Sequence, residues 1–102
     1  MTGGNRQKSA EVSLAASLRS AEAAALKSAI KDAQGQPLRL DAGNVTMIGA
    51  QCLQVLLAAR AAWAAQDTNF EITNLSGDMH AALGVLGVSP DQIGAREATN
   101  GA

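Results

Sequence analysis

The 102-residue chain has few of the side chains that usually carry chemistry. It contains one cysteine, one histidine, one phenylalanine, one tryptophan and no tyrosine. A single cysteine excludes an internal disulfide, and one cysteine with one histidine cannot by themselves complete a tetrahedral zinc site. We therefore expect no metal and no cofactor.

Neither sign of charge is in marked excess. Eight Lys and Arg against nine Asp and Glu give a formal net charge of −1, and no basic cluster interrupts the mixture. Binding to nucleic acid depends on a concentration of positive charge, so a nucleic-acid partner has no electrostatic support here.

Long apolar runs are also lacking. The densest run extends from Val55 to Ala65 and is interrupted by Arg60, so it is too short to span a bilayer. The opening MTGGNRQKSA has no apolar segment of the kind that a secretory signal needs. These features predict a cytoplasmic protein that does not insert into a membrane.

Hydrophobic residues make up 47% of the chain, and a chain of this length forms one domain. Residues 1–10 show no hydrophobic periodicity and predict a flexible N-terminal arm, and residues 94–102 predict a flexible C-terminal tail. The folded domain is expected over residues 11–93.

Hydrophobic periodicity within that domain predicts three pairs of a strand followed by a helix. The strands are expected at 11–14, 38–41 and 70–72, and the helices at 20–35, 49–65 and 76–86. Ser20 and Ser76 are predicted N-caps, and Met79, Leu83 and Leu86 are predicted to form the inner face of the last helix. Such an alternation predicts an α/β fold with a small, mixed but mostly parallel sheet and helices packed against it.

The segment LDAGNVTMIGAQCLQVLLAA, residues 40–59, joins the second predicted strand to the second helix. In open α/β sheets, binding sites lie beyond the carboxyl ends of the strands, and Asp41 to Gln51 occupies that position. The acidic pair and late lysine of phospho-accepting receiver domains are lacking. Asp41 is therefore predicted to accept hydrogen bonds from N–H groups of the turn.

This segment resembles the hallmark of the STAS domains, whose founding members are anti-sigma factor antagonists. The residues that follow the family pattern are Leu40-Asp41, Gly43-Asn44-Val45, Met47-Ile48, Leu53 and Leu56-Leu57. The resemblance covers about residues 11–88 and implies a single STAS-like domain. The alanine-rich LQVLLAARAAW is most similar to small standalone members found in chemotaxis operons.

In family members that act as switches, a kinase phosphorylates a Ser or Thr at the head of this helix. The corresponding stretch of this chain is Gly49, Ala50, Gln51 and Cys52, none of which carries a hydroxyl. The resemblance therefore implies no phosphorylation at this position. Thr46 is the nearest hydroxyl and remains the single weak candidate.

A helical wheel places small and amide side chains together on one face of the second helix. The members of this face are Gln51, Gln54, Ala58, Ala61, Ala62 and Ala65. Such a face suits close approach of another helix, although a solvated alanine face explains the pattern equally well. Arg60 is expected to mark the edge of the apolar face, leaving Leu57 or Leu53 partly exposed as a docking contact. The predicted partner-binding residues are Asn44, Thr46, Gly49, Ala50, Gln51, Gln54, Leu57 and Ala58.

The remaining reactive side chains have simpler explanations than catalysis. Cys52 lies on the apolar arc, which is typical of an inert buried thiol, and His80 is expected on the surface of the last helix. No phosphate-binding glycine loop, nucleophile elbow or pair of catalytic carboxylates is found. We therefore expect no catalytic residues and no enzyme activity.

The resemblance implies a regulatory domain that works by binding protein. The expected partner is a bacterial signalling histidine kinase of the chemotaxis type or another ATP-binding regulatory protein. Two alternatives stay open: a structural STAS subunit of a lipid-transport ABC ATPase complex, and an anti-anti-sigma factor regulated by a serine kinase. Self-association is a further possibility.

Overall fold

Strands and helices alternate over residues 10–95, the part of the chain that the computed structural model describes. Of the predicted flexible segments 1–10 and 94–102, residues 1–9 and 96–102 lie outside the described residues. The strands are β1 (Ala10–Ser13), β2 (Ser17–Leu18), β3 (Leu38–Asp41), β4 (Met47–Ile48) and β5 (Phe70–Thr73). The α-helices are α1 (Ala23–Asp32), α2 (Ala50–Ala65) and α3 (Gly77–Leu86), and short 3-10 helices occupy Ser20–Glu22 and Pro90–Ile93.

The main sheet has the order β1-β3-β5, and both strand pairs are parallel. Side chains alternate between its two faces, so Leu38 and Leu40 of the central strand are buried while Arg39 is exposed. On the exposed face, the Arg39 guanidinium lies 3.3 Å from a carboxylate oxygen of Glu11 and 3.8 Å from one of Glu71. The predicted α/β fold with helices packed against a mostly parallel sheet is confirmed.

The helices bury aliphatic stripes against the inner face of the sheet. Leu56 of α2 and Leu83 of α3 are completely buried, as is Leu40 below them. Trp63 closes the end of the core near β5: its indole Nε1–H donates to the Gln36 carbonyl at 2.8 Å. One continuous hydrophobic cluster therefore joins the helices to the sheet.

A second, two-stranded sheet pairs β2 with β4 in parallel, with Leu18 opposite Ile48. It was not predicted, because two-residue strands are too short to show a hydrophobic period. This small sheet ties the segment before α1 to the segment before α2, so it fixes where both helices begin.

Two details of the predicted helices were wrong. Ser20 opens a 3-10 turn rather than capping α1, and no side chain caps either that turn or the start of α1 at Ala23. Leu86 was placed on the inner face of α3, yet it is 38% exposed and its neighbour Val85 is 86% exposed. The last turn of α3 extends past the core, so the helical period continues there without burial.

The folded unit also extends beyond the predicted limits of 11 and 93. Ala10 is the first residue of β1. The carbonyl of Gly94 accepts a hydrogen bond from the Ile72 amide at 3.2 Å, and Ala95 is buried beside β5. Gly94 and Ala95 therefore belong to the packed structure. Within residues 10–95, no helix has the length and hydropathy that crossing a membrane requires.

Candidate functional site

The loop after β3 is held by its own aspartate. A carboxylate oxygen of Asp41 accepts a hydrogen bond from the Gly43 amide at 2.9 Å, as the sequence predicted. A Cβ at Gly43 would meet that same oxygen at 3.1 Å, so the tight turn suits glycine. Asp41 therefore has a structural role in shaping the loop, and Asn44 is left exposed at its tip.

The next residues connect this loop to the small sheet. The Thr46 amide donates to the Ala16 carbonyl at 2.7 Å, and its hydroxyl donates to the same oxygen at 3.0 Å. The Gly49 amide donates to the Leu18 carbonyl at 2.9 Å. These bonds set the position from which α2 starts.

The head of α2 carries small, uncharged residues. Gly49 is the N-cap residue and has extended backbone angles, and it provides no side chain to accept hydrogen bonds from the first turn. Ala50 and Gln51 are exposed, whereas Cys52 turns inward and is completely buried. The first turn of α2 contains no acidic residue. The predicted docking residues at this end are therefore accessible.

The uncharged face of α2 continues for the whole length of the helix. All six predicted members are exposed to solvent: Gln51, Gln54, Ala58, Ala61, Ala62 and Ala65. Leu57 is half-buried, Leu53 is buried and Arg60 is exposed, so Arg60 does lie at the edge of the core. The structure thus brings Gln51, Gln54, Ala58 and the partly exposed Leu57 onto one helix. Their role in binding stays a prediction.

A groove that the sequence did not predict runs between α1 and α2. Its volume is about 390 Å³, and its lining includes Lys27 and Lys31 from α1 and Gln54 and Ala58 from α2. The groove therefore shares three residues, Gln54, Ala58 and Ala62, with the predicted uncharged face of α2. The groove depends on how α1 and α2 lie beside each other, and the hydrophobic periodicity of one helix does not predict that.

Cys52 is a buried thiol. Its Sγ lies 3.3 Å from the Arg19 carbonyl oxygen, to which the thiol donates. Burial raises the pKa of the Cys52 thiol, and the negative charge of Glu22 adds to that increase. The thiol therefore stays protonated at neutral pH, as expected of an inert core residue.

His80 is exposed on α3, in agreement with the sequence. Across residues 10–95, no three His, Cys, Asp or Glu side chains are grouped closely enough to hold a metal ion. The one histidine and one cysteine thus belong to different parts of the fold, a surface helix and the core.

A parallel sheet with helices packed against it, and a loop leading from its central strand to the head of α2, define a small α/β domain. The family model described as "Mlab, STAS domain" matches residues 3–90, which is most of the chain. The protein belongs to the STAS domain family. STAS domains are regulatory domains, typified by the anti-sigma factor antagonists, and generally act through protein interactions. No curated protein and no solved structure matches the chain.

Proposed function

We propose that this STAS domain is a non-enzymatic adaptor that binds a signalling histidine kinase, or another ATP-binding regulatory protein, through the head and exposed face of α2. Family membership supports regulation by protein binding. The similarity of LQVLLAARAAW to standalone members in chemotaxis operons supports the choice of a histidine kinase.

The main support for placing the docking surface here is that the exposed side chains in the first turns of α2 are all uncharged. Gln51 and Gln54 offer amide groups, and Ala50 and Ala58 offer little bulk. Amides can form hydrogen bonds across an interface without the desolvation cost of a full charge, and small side chains permit close backbone approach. This surface is therefore suited to a protein partner.

The same turns suggest that binding is not switched by phosphorylation. Gly49, Ala50, Gln51 and Cys52 offer no hydroxyl to a kinase. The hydroxyl of Thr46 already donates to the Ala16 carbonyl, so a phosphate there would remove a bond that holds the small sheet. We therefore propose that the domain regulates its partner by binding alone.

Affinity capture of the tagged protein from its native cells, with mass spectrometry of the bound proteins, tests this proposal. We expect a histidine kinase to be retained by the wild type. Gln51→Glu and Gln54→Glu should each weaken binding about tenfold, because they place a charge in the interface. Gln66→Glu makes the same chemical change at the far end of α2 and serves as the control.

Unchanged affinity of Gln51→Glu and Gln54→Glu would remove this face from the proposal. Capture of a transporter ATPase would support the structural alternative, in which the domain braces that complex. Incubation of the captured complex with ATP should leave the intact mass of the domain unchanged. A phosphate on Thr46 would instead support a serine- or threonine-kinase switch.

A further inference from the structure

The groove between α1 and α2 has an apolar floor. The buried or half-buried side chains that line it are Ile30 of α1 and Val55, Ala59 and Trp63 of α2. Its volume of about 390 Å³ is open to solvent along the outer surface of both helices. An apolar floor of this kind gains free energy when a partner side chain replaces water.

The wall formed by α1 is positively charged. Lys27 and Lys31 are both exposed, and their spacing of four residues places them one helical turn apart on the same face. No acidic residue lines the groove. The ion pairs found among residues 10–95 involve neither lysine. These two charges are therefore available to a partner.

The opposite wall, formed by α2, is uncharged and carries small side chains. Ala58 and Ala62 of α2 line the groove and are exposed. Alanine at positions four residues apart lets the backbone of another helix approach closely, as in helix pairs that pack by ridges into grooves. An alanine wall facing a lysine wall therefore favours a helix as the occupant.

We propose that this groove binds an acidic amphipathic helix of the partner protein. The partner's apolar stripe would pack on Trp63 and Val55, and two of its carboxylates, one turn apart, would pair with Lys27 and Lys31. This inference rests on the proposed function, because it names the chemistry of the partner segment that meets α2. From Gln54 to Trp63 the α2 wall is about 14 Å long, which matches between two and three turns of a partner helix.

A second copy of this chain does not supply such a helix from its described residues. The acidic side chains are Asp32 alone in α1 and Asp78 alone in α3, and α2 contains none. No described helix therefore carries two carboxylates one turn apart. A bilayer surface is too flat to reach the floor of a groove between two helices. The charge pattern thus favours a separate protein.

A peptide titration tests the charge preference with the full-length protein. The probe is a synthetic helical peptide of about 14 residues, with a leucine stripe and glutamates one turn apart. The control peptide has lysine in place of each glutamate. Trp63 is the single tryptophan of the chain and lines the groove, so its fluorescence reports occupancy. We expect saturable binding of the acidic peptide, about tenfold tighter than that of the basic peptide.

Paired variants locate the binding. The double variant Lys27→Glu/Lys31→Glu should reverse the preference between the peptides, whereas Arg60→Glu, an exposed charge outside the groove lining, should leave it within about twofold. Ala58→Phe should fill the groove and weaken binding about tenfold, and Ala64→Phe, exposed on the same helix but outside both the lining and the proposed docking face, is its control. Circular dichroism checks that each variant is folded.

Equal binding of the two peptides, or equal effects of Ala58→Phe and Ala64→Phe, would overturn the inference. The inference would also fail if the protein bound anionic phosphatidylglycerol vesicles through Lys27 and Lys31 but did not bind the acidic peptide. Concentration-dependent dimers in sedimentation that Ala58→Phe abolishes would assign the groove to a second copy instead.

The captured kinase separates this inference from the proposed function. If Gln51→Glu releases the kinase but Lys27→Glu/Lys31→Glu retains it, the docking face stands and the groove inference fails. If wild-type protein captures no kinase, the proposed function fails. In that case the peptide titration still decides whether the groove selects an acidic helix.

Discussion

At the scale of single residues, Cys52 is the first side chain of α2 that packs into the core. Its side chain is completely buried, whereas those of its neighbours Ala50 and Gln51 are exposed. The thiol donates to the carbonyl of Arg19, so it links α2 to the segment that leads into α1. A buried thiol with this contact contributes to packing and lies outside the proposed docking surface.

The raised pKa of Cys52 predicts how stability depends on pH. The unfolded thiol titrates near its ordinary pKa of 9.0, and the folded thiol titrates above it because of burial. The unfolded state therefore loses its proton first as the pH rises. The contribution of the protonated thiol to stability is complete below about pH 9 and is lost as the pH increases through the folded pKa.

Urea unfolding of the wild type and Cys52→Ala, measured from about pH 7 to about pH 10, checks this expectation. Both proteins share the titration of lysines and other groups, so the difference between their unfolding free energies isolates the thiol. Above about pH 9, the unfolding free energy of the wild type should fall relative to that of Cys52→Ala. A difference that stays constant over the whole range would show that burial does not perturb Cys52.

At the scale of secondary-structure elements, Ser76 and Ser20 are the two predicted helix N-caps, and the structure confirms only Ser76. Both precede helices and both have an acidic residue shortly after them. The Ser76 hydroxyl accepts from the Met79 amide at 3.0 Å and donates to the Val45 carbonyl at 2.6 Å. Ser20 begins a 3-10 turn that has no side-chain cap. A serine therefore caps the helix at one of the two starts and not at the other.

We expect Ser76→Ala to lower the free energy of unfolding by about 1–2 kcal/mol, because it removes a helix cap and leaves the Val45 carbonyl without that donor. Ser20→Ala should change it by less than about 0.5 kcal/mol. Chemical denaturation of both variants measures the two effects under identical conditions. Equal losses would mean that Ser20 stabilises the chain in a way that its backbone position does not reveal.

The comparison also indicates how far the sequence could predict the structure. The strand Leu38–Asp41 and the helix from Ala50 to Ala65 were predicted to within one residue, because period 2 and period 3.6 are local properties of the chain. The exposed face of α2 follows from the same periodicity. The β2–β4 pair and the groove beside Lys27 and Lys31 arise from contacts between distant segments. Local patterns carry no signal for such contacts.

At the scale of the whole molecule, the two sheets and three helices share a single core. The hydrophobic cluster includes Leu18 and Ile48 from the small sheet, Leu40 from the main sheet and Ile93 near the end of the described chain. The cluster also includes Trp63, whose ring centroid lies 5.9 Å from that of Phe70. These side chains belong to one hydrophobic cluster, so residues 10–95 form a single packed unit.

A shared core predicts cooperative unfolding. Trp63 fluorescence reports packing where α2, β5 and the Gln36 carbonyl meet, whereas far-ultraviolet circular dichroism reports all three helices. Because loss of any helix would expose the same cluster, we expect both signals to change at one denaturant concentration with one slope. Measuring both on the same urea series provides the test. A Trp63 transition that precedes the loss of helix would show instead that the end of α2 beside the groove opens locally. The proposed docking surface would then change its shape without unfolding of the whole domain.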